Sequence, residues 1–213
     1  MSRKPACLPR SFYARPALAV ARDLLGKVLV HRAPDGETSG RIVEVEAYIG
    51  EDDPACHAAP GPTRRNEPLY GDPGHAYVYF NYGVHDMFNV VAEPRGRPAA
   101  ILVRALEPVD GADLMRRRRD TPARGRKPKR NMSLDDLCRG PGNVARAMGV
   151  TLADNRADLC GSKLFIQDRG LDAAGIAWSP RIGIRVGVDR PWRCYVVGSK
   201  AVSGKKRRGL RSS

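Results

Sequence analysis

The sequence predicts an α+β fold: one mixed domain of mainly antiparallel strands, with helices segregated around them. Three observations lead there. Segments of period-two apolar alternation recur, as in RIVEVEAYIG (Arg41–Gly50) and RIGIRVGV (Arg181–Val188). Turn-forming stretches rich in Asn, Asp and Gly join neighbouring strand segments, as in NYG at Asn81–Gly83. Helix signals, such as Pro16 at an opening and Gly26 at a stop, set off separate short segments. A chain of 213 residues can bury a sizeable core as a single domain.

The elements follow in chain order. A helix is expected at Pro16–Leu25, with Leu18, Ala21 and Leu25 on its apolar side. The strand Lys27–Arg32 is joined by the turn-rich loop Pro34–Gly40 to the strand Arg41–Gly50, as an antiparallel pair. In that second strand Val43, Val45, Ala47 and Ile49 share one face, and Glu44, Glu46 and Tyr48 the other. Gly50–Gly74 reads as a long irregular loop carrying His57, Arg64 and Arg65. Ala76–Phe80 and Asp86–Ala92 form a protruding hairpin that displays Tyr82 at its tip. The strand from Ala99 puts Ala100, Leu102, Arg104 and Leu106 on one face, so Arg104 interrupts an apolar row. Asp110 is placed to cap a helix through Arg119. Arg116–Arg130 holds nine basic residues against one acid, with two prolines and a glycine, and reads as a mobile basic loop. Ser133 and Pro141 each open a short helix. Ile182, Ile184, Val186 and Val188 point inward from a strand at Arg181–Val188, and Cys194–Ser199 is the last strand. The domain is expected to span 11–202, after a flexible arm at 1–10 and before a basic, disordered tail at 203–213.

Charge narrows the partners. A formal net charge of +14 and a pI near 10.1 attract polyanions, with nucleic acid foremost; an acidic membrane surface or the ribosome would give the same total. No apolar run reaches the roughly 18–20 residues that span a bilayer, and nothing near the N-terminus marks export, so the cytoplasm is the expected compartment. Five widely spaced cysteines without a C-x-x-C pair argue against a disulfide framework or a zinc ribbon, and read as small hydrophobes. The four histidines show no metal-binding spacing, and a set drawn from Glu46, Cys56, His57 and Asp86 is the weak metal alternative. Gly140, Pro141, Gly142 and Ala145 fit G-x-G-x-x-A but follow no strand, which leaves a plain helix start or a phosphate contact. There is no G-x-S-x-G elbow and no P-loop.

Two features suggest chemistry. Aromatics are scarce, yet Tyr77, Tyr79, Phe80 and Tyr82 cluster on the hairpin. Such residues either pack as ordinary strand aromatics or, on a nucleic-acid-binding surface, stack on an extruded base and wedge into the gap it leaves. Breaking a base–sugar bond passes through an oxocarbenium-like cation, which a carboxylate stabilises while it deprotonates the attacking water. Glu44 and Glu46, about 6.6 Å apart along one strand face, both qualify on this ground. Arg104 is either the compensating cation or half of a structural ion pair.

The segments EVEAYIGEDDPACHA, TRRN, AYVYFNYG, FNVV, ILVRALEP, LCRGPGN and RIGI run in order within about Leu18 to Gly198. Together they resemble the alkyladenine (3-methyladenine) DNA glycosylase family. The resemblance implies a curved, mainly antiparallel sheet. It also implies a monomeric, monofunctional enzyme that excises alkylated or deaminated purines from double-stranded DNA and leaves an abasic site, without cofactor or metal. Glu46 then matches the water-activating carboxylate, and Arg104 the arginine beside that water. Tyr48, His57 and Tyr79 match the residues enclosing the flipped base, and Asn89 the asparagine that disfavours guanine's exocyclic amine. Ile182 and Gly183 lie at the exit toward the glycosidic water, while Tyr82 matches the side chain left in the duplex. Arg64, Arg65, Arg116 and Arg117 are expected on the DNA backbone. The matched motifs offer no lysine, so water and not an amine is the expected nucleophile. Two other functions use the same surface: a non-catalytic nucleic-acid-binding protein, and a metal-dependent nuclease built around His57.

Overall fold

In the computed structural model, residues 6–81, 83, 85–121, 132–171 and 173–204 are described. Strand β1 (Val28–Ala33) turns directly into the long β2 (Gly36–Ile49), with Val28 opposite Arg41 and Ala33 opposite Gly36. The expected loop Pro34–Gly40 thus shrinks to Pro34 and Asp35. Glu37, Thr38, Ser39 and Gly40 all pair with β1, because their backbone groups find ladder partners there and local turn preference loses.

Beyond β1, the second half of β2 pairs with β8 (Arg193–Val196) on the same edge, and its other edge is lined by β5 (Ala99–Asp110). The hairpin of β3 (Ala76–Asn81) and β4 (His85–Val91) adds to β5, β6 (Leu164–Gln167) adds to β1, and β7 (Ile176–Ser179) adds to β8. All pairings are antiparallel, in the order β3-β4-β5-β2-β1-β6 with β8 and β7 branching from β2, and the sheet curls into a half-barrel.

Helices α1 (Arg10–Tyr13), α2 (Ala17–Leu24), α3 (Ala112–Asp120), α4 (Leu134–Leu137) and α5 (Pro141–Met148) complete the α+β architecture. The main core joins Val20, Ala21 and Leu24 of α2 and Val144, Ala147 and Met148 of α5 to Val45, Ala47, Val78, Phe88, Val90, Ile101 and Val103 of the sheet. The alternate residues of the same strands face the other way. There Tyr77, Val91 and Ala100 pack with Cys56, Ala58 and Leu69 of the 50–74 segment, and Tyr48 and Tyr79 lean on them. Each strand of this region therefore serves a core on one side and a second, aromatic layer on the other.

Several expectations need correction. Between β2 and β5 the register slips three times: Val109 and Arg104 are extra residues on β5, and Val43 is an extra residue on β2. Past the slip Leu106 joins the main core, so it does not share a face with Ala100 and Leu102. Asp110 ends β5, where it accepts hydrogen bonds from Ser39 and Arg169, and Gly111 takes the N-cap position of α3. Arg116–Arg119 are helical and not part of a loop; Arg118 pairs with Asp35, and Arg119 donates to the carbonyls of Asp136 and Leu137. The rest of the expected basic loop, 122–130, lies outside the described residues.

Arg181–Val188 is not a strand. Arg181 turns its side chain inward and binds the carbonyls of Ala47 and Gly187, which folds the segment back on itself and leaves Val186 and Val188 about half exposed at 50% and 52%. The last strand closes earlier than expected, at Val196. The G-x-G-x-x-A segment opens α5, and a Cβ on Gly142 would lie 2.6 Å from the ring of His85. That glycine lets the helix sit against His85, at the turn end of the hairpin. Among the described residues, no helix is long and apolar enough to cross a membrane.

Candidate active site

The aromatic layer encloses a cavity of about 350 Å³, within the usual ~300–1,000 Å³ range for small-ligand sites. Tyr48, His57, Tyr79, Asn89, Arg104, Ile182 and Gly183 all line it. Sequence spacing explains much of the grouping. In the hairpin Tyr77 lies opposite Asn89 and Tyr79 opposite Met87, so period two sends all four side chains to one face. The 50–74 segment then brings His57 across them, with its ring 4.4 Å from Tyr79 and its Nδ1 2.8 Å from the Tyr77 hydroxyl. Asn66 fixes that segment by donating to the carbonyls of His57 and Gly61. The Asn89 amide donates to the carbonyls of Tyr77 and Met87, which locks its orientation.

Both glutamates are completely buried, and their environments differ. Oε1 of Glu44 accepts from Arg193 Nε at 2.6 Å, Ser203 Oγ at 2.9 Å and Arg104 Nε at 3.2 Å, while Oε2 accepts from Ser203 N–H at 2.6 Å. Four donors thus hold Glu44, three of them on Oε1, and two of its partner residues, Arg193 and Ser203, line no part of the aromatic cavity. Oε2 of Glu46 accepts from the Tyr48 hydroxyl at 2.9 Å and Arg104 at 3.0 Å, whereas Oε1, among the described residues, accepts only from the Ile182 N–H at 2.7 Å. Among the described residues Glu46 therefore has three donors against the four of Glu44. Glu46 does not itself line the cavity; it sits immediately behind Tyr48, Arg104 and Ile182, which do.

Arg104 reaches both acids because it is the extra residue at the β5 slip, between the rungs that pair Glu44 with Ala105 and Val45 with Val103. It is 7% exposed and bridges the two carboxylates. Burial pushes the Tyr48 phenol well above its ordinary value, with neighbouring Glu46 adding to the rise, so Tyr48 remains the donor in their bond. Burial also pushes Tyr77 up to about 12.

Other residues sit elsewhere or were missed. Arg65 lies over the Tyr79 ring at 5.8 Å, while Arg64 is exposed on the same turn. Arg116 pairs with Asp113, and both it and Arg117 belong to α3, outside the cavity lining. Tyr82 lies outside the described residues. Arg193, Ser203, Asp53 and Arg181 escaped the sequence reading. Ser203 sits where a disordered tail is expected to begin, and its partner Glu44 is 159 residues away. Asp53 and Arg181 form a fully buried pair at 2.5 Å. Burial alone would raise the Asp53 carboxyl, but its bonds to Arg181 overcome this and hold it below the usual carboxylate range.

Comparison with known proteins decides the family. Residues 11–200 match the model of the methylpurine-DNA glycosylase family. The chain belongs to that family. A Methanocella arvoryzae protein, provisionally named a 3-methyladenine DNA glycosylase, is 48% identical over 200 residues, covering 92% of this chain and 95% of its own. Proteins with the same provisional name from Chlorobium phaeobacteroides (46% identity, 93% of this chain, 96% of theirs) and Carboxydothermus hydrogenoformans (45%, 93% and 99%) are similar. Among the described residues of this methylpurine-DNA glycosylase family member, no three His, Cys, Asp or Glu side chains gather in a way that would hold a metal ion.

His57 gives this site a pH signature. Burial, and then the charge of Arg65, hold its pKa below the ordinary 6.5. As pH falls, the unfolded chain takes up the proton first, so this residue's contribution to stability is full above the ordinary value and is lost as pH drops toward the depressed one. Urea unfolding should therefore show wild type losing more stability than His57→Gln between about pH 7.5 and 5.5. Parallel pH dependences would mean that His57 titrates as it does in the unfolded chain.

Proposed function

We propose that this DNA glycosylase family member flips alkylated or deaminated purines out of duplex DNA and hydrolyses the N-glycosidic bond with a water activated by Glu46, leaving an abasic site. The observation that carries this is the contrast between the two acids. All three residues that donate to Glu46, Tyr48, Arg104 and Ile182, line the aromatic cavity, while Glu44 is held by four donors, three of them from Arg193 and Ser203, which lie off it.

In this mechanism the base lies between Tyr48 on one side and His57 with Tyr79 on the other, as the aromatic lining favours. Stacking orients the nucleotide so that its sugar meets the wall formed by Arg104 and Ile182. Glu46 then takes a proton from the water as the water attacks C1′, and its negative charge faces the cation that develops on the sugar. Screened from bulk water, that charge acts through a low local dielectric and stabilises the transition state more strongly than an exposed acid would. Arg104, tied to both glutamates, fixes the rotamer of Glu46. The amide of Asn89, already committed to two carbonyls, presents a rigid edge that guanine's exocyclic amine would meet. Tyr82 is assigned to the duplex gap by family resemblance, and Arg64, Arg65, Arg116 and Arg117 to the DNA backbone. The chemistry draws on water and the chain's own side chains, acting as a monomer.

A duplex carrying hypoxanthine or an alkylated purine tests the reaction directly. Incubation with chelator, followed by alkali, should break the damaged strand at the lesion only after the alkali step. Breakage that needs added metal and no alkali would identify a nuclease. An intact strand after alkali would identify a protein that only binds.

A further inference from the structure

Among the described residues, the single donor on Glu46 Oε1 is a backbone N–H in a segment without regular structure, 136 residues away in sequence. No strand ladder holds Ile182 there. The residue before it does. Arg181 Nη1 donates to Asp53 Oδ2 at 2.5 Å and to the Ala47 carbonyl at 3.0 Å, and Nη2 donates to Asp53 Oδ1 at 2.8 Å and to the Gly187 carbonyl at 3.3 Å. Its guanidinium also lies 4.6 Å from the Tyr48 ring centre and 5.2 Å from that of Trp192. Asp53 is fixed in turn by the N–H groups of Ile49 and Ala55, and Arg190 approaches it at 3.9 Å.

The anchoring points are telling. Ala47, Tyr48 and Ile49 are the three residues that follow Glu46 on β2, and Ile182 follows Arg181, so the ion pair ties the donor of Glu46 to the strand that bears Glu46. Gly187 closes the arrangement: a Cβ there would lie 3.1 Å from Arg181 Nη2 and 3.3 Å from Asp53 Oδ1, at a φ of +59°. A buried ion pair adds little net stability over well-packed apolar residues, because desolvation offsets most of its attraction. What four directed hydrogen bonds and two ring contacts supply that apolar packing cannot is position.

We propose that Asp53 and Arg181 are a positioning pair for catalysis, which holds the Ile182 N–H against Glu46 Oε1 and sets the plane of Tyr48 without touching substrate. This rests on Glu46 being the water-activating carboxylate. A shift of the order of an ångström in such a group costs up to about 100-fold in rate.

Arg181→Lys keeps the charge but loses the planar fork, so it cannot serve Asp53, Ala47 and Gly187 together. Its single-turnover excision rate, per folded molecule, should fall about 10- to 100-fold, while affinity for a duplex with an uncleavable lesion analogue changes less than about threefold. A wild-type rate per folded molecule would overturn the proposal. Because a broken buried pair can itself unfold a protein, the double variant Asp53→Leu with Arg181→Met removes both charges together. The proposal expects its melting temperature to lie near that of wild type and its excision to stay low; excision restored along with stability would reduce the pair to a structural role. Glu46→Gln separates the two levels. If that variant is inactive while Arg181→Lys is fully active, only the positioning pair falls; if Glu46→Gln excises normally, the mechanism itself falls.

Discussion

Glu46→Gln is expected to lower single-turnover excision of hypoxanthine or 3-methyladenine by at least about 10³-fold, with lesion-duplex affinity kept within about threefold. Glutamine preserves the volume behind Tyr48, Arg104 and Ile182, and its carbonyl oxygen still accepts the Ile182 N–H at the place where Oε1 does. Its amide nitrogen, however, replaces the acceptor that now receives Tyr48 and Arg104, and the neutral group neither takes a proton from water nor faces a cation with charge. Binding survives because the stacking walls, Tyr48, His57 and Tyr79, are untouched. Excision at the wild-type rate would remove Glu46 from the reaction and reopen the choice between the two acids. A matching substitution at Glu44 should affect folding before chemistry, since four donors from three separate parts of the chain converge on it.

Arg104→Met should cost about 3–5 kcal/mol of stability in urea unfolding and should also depress excision in the molecules that fold. The arginine is the only cation contacting both carboxylates among the described residues; Arg193 reaches Glu44 alone. Without it Glu46 is a buried anion held by one hydroxyl and one N–H, facing a second anion on the same strand. Arg104→Lys keeps a charge but cannot span two acceptors in fixed directions, so it should recover part of the stability and less of the rate. If Arg104→Met unfolds at the wild-type urea concentration, Tyr48, Ile182 and Arg193 satisfy the pair by themselves, and the bridging arginine is dispensable for folding.

The strands, and with them most of the cavity, were legible because side-chain direction in a strand depends only on parity. RIVEVEAYIG placed Glu44, Glu46 and Tyr48 together, and AYVYF placed Tyr77 with Tyr79; both groupings hold in the fold. Parity fails where a register slips, which is why Leu106 was assigned to the wrong face once Val43 and Arg104 had each dropped out of the ladder. It misleads outright at Arg181–Val188, where an alternating apolar pattern is overruled by one arginine whose partner, Asp53, lies 128 residues away. Nothing local marks that pairing, and Asp53 looks like its neighbours Glu51 and Asp52. The closure of Glu44 by Ser203 was equally hidden, since it depends on the chain returning to β2 after the last strand. The distinction between Glu44 and Glu46, which sequence alone leaves to family resemblance, acquires a physical basis only when their partners are located: those of Glu46 all line the cavity, while Arg193 and Ser203, which hold Glu44, do not.

The division of labour between the two sides of the sheet bears on how such an enzyme changes over evolutionary time. On β4 and β5, Val90 and Ile101 face the core while Asn89, Ala100 and Leu102 border the cavity. Neighbouring codons thus answer to different selective pressures, one set to foldability and the other to which damaged base is accepted. Drift at the cavity-facing positions can remodel substrate range while the scaffold's tolerance to mutation stays intact.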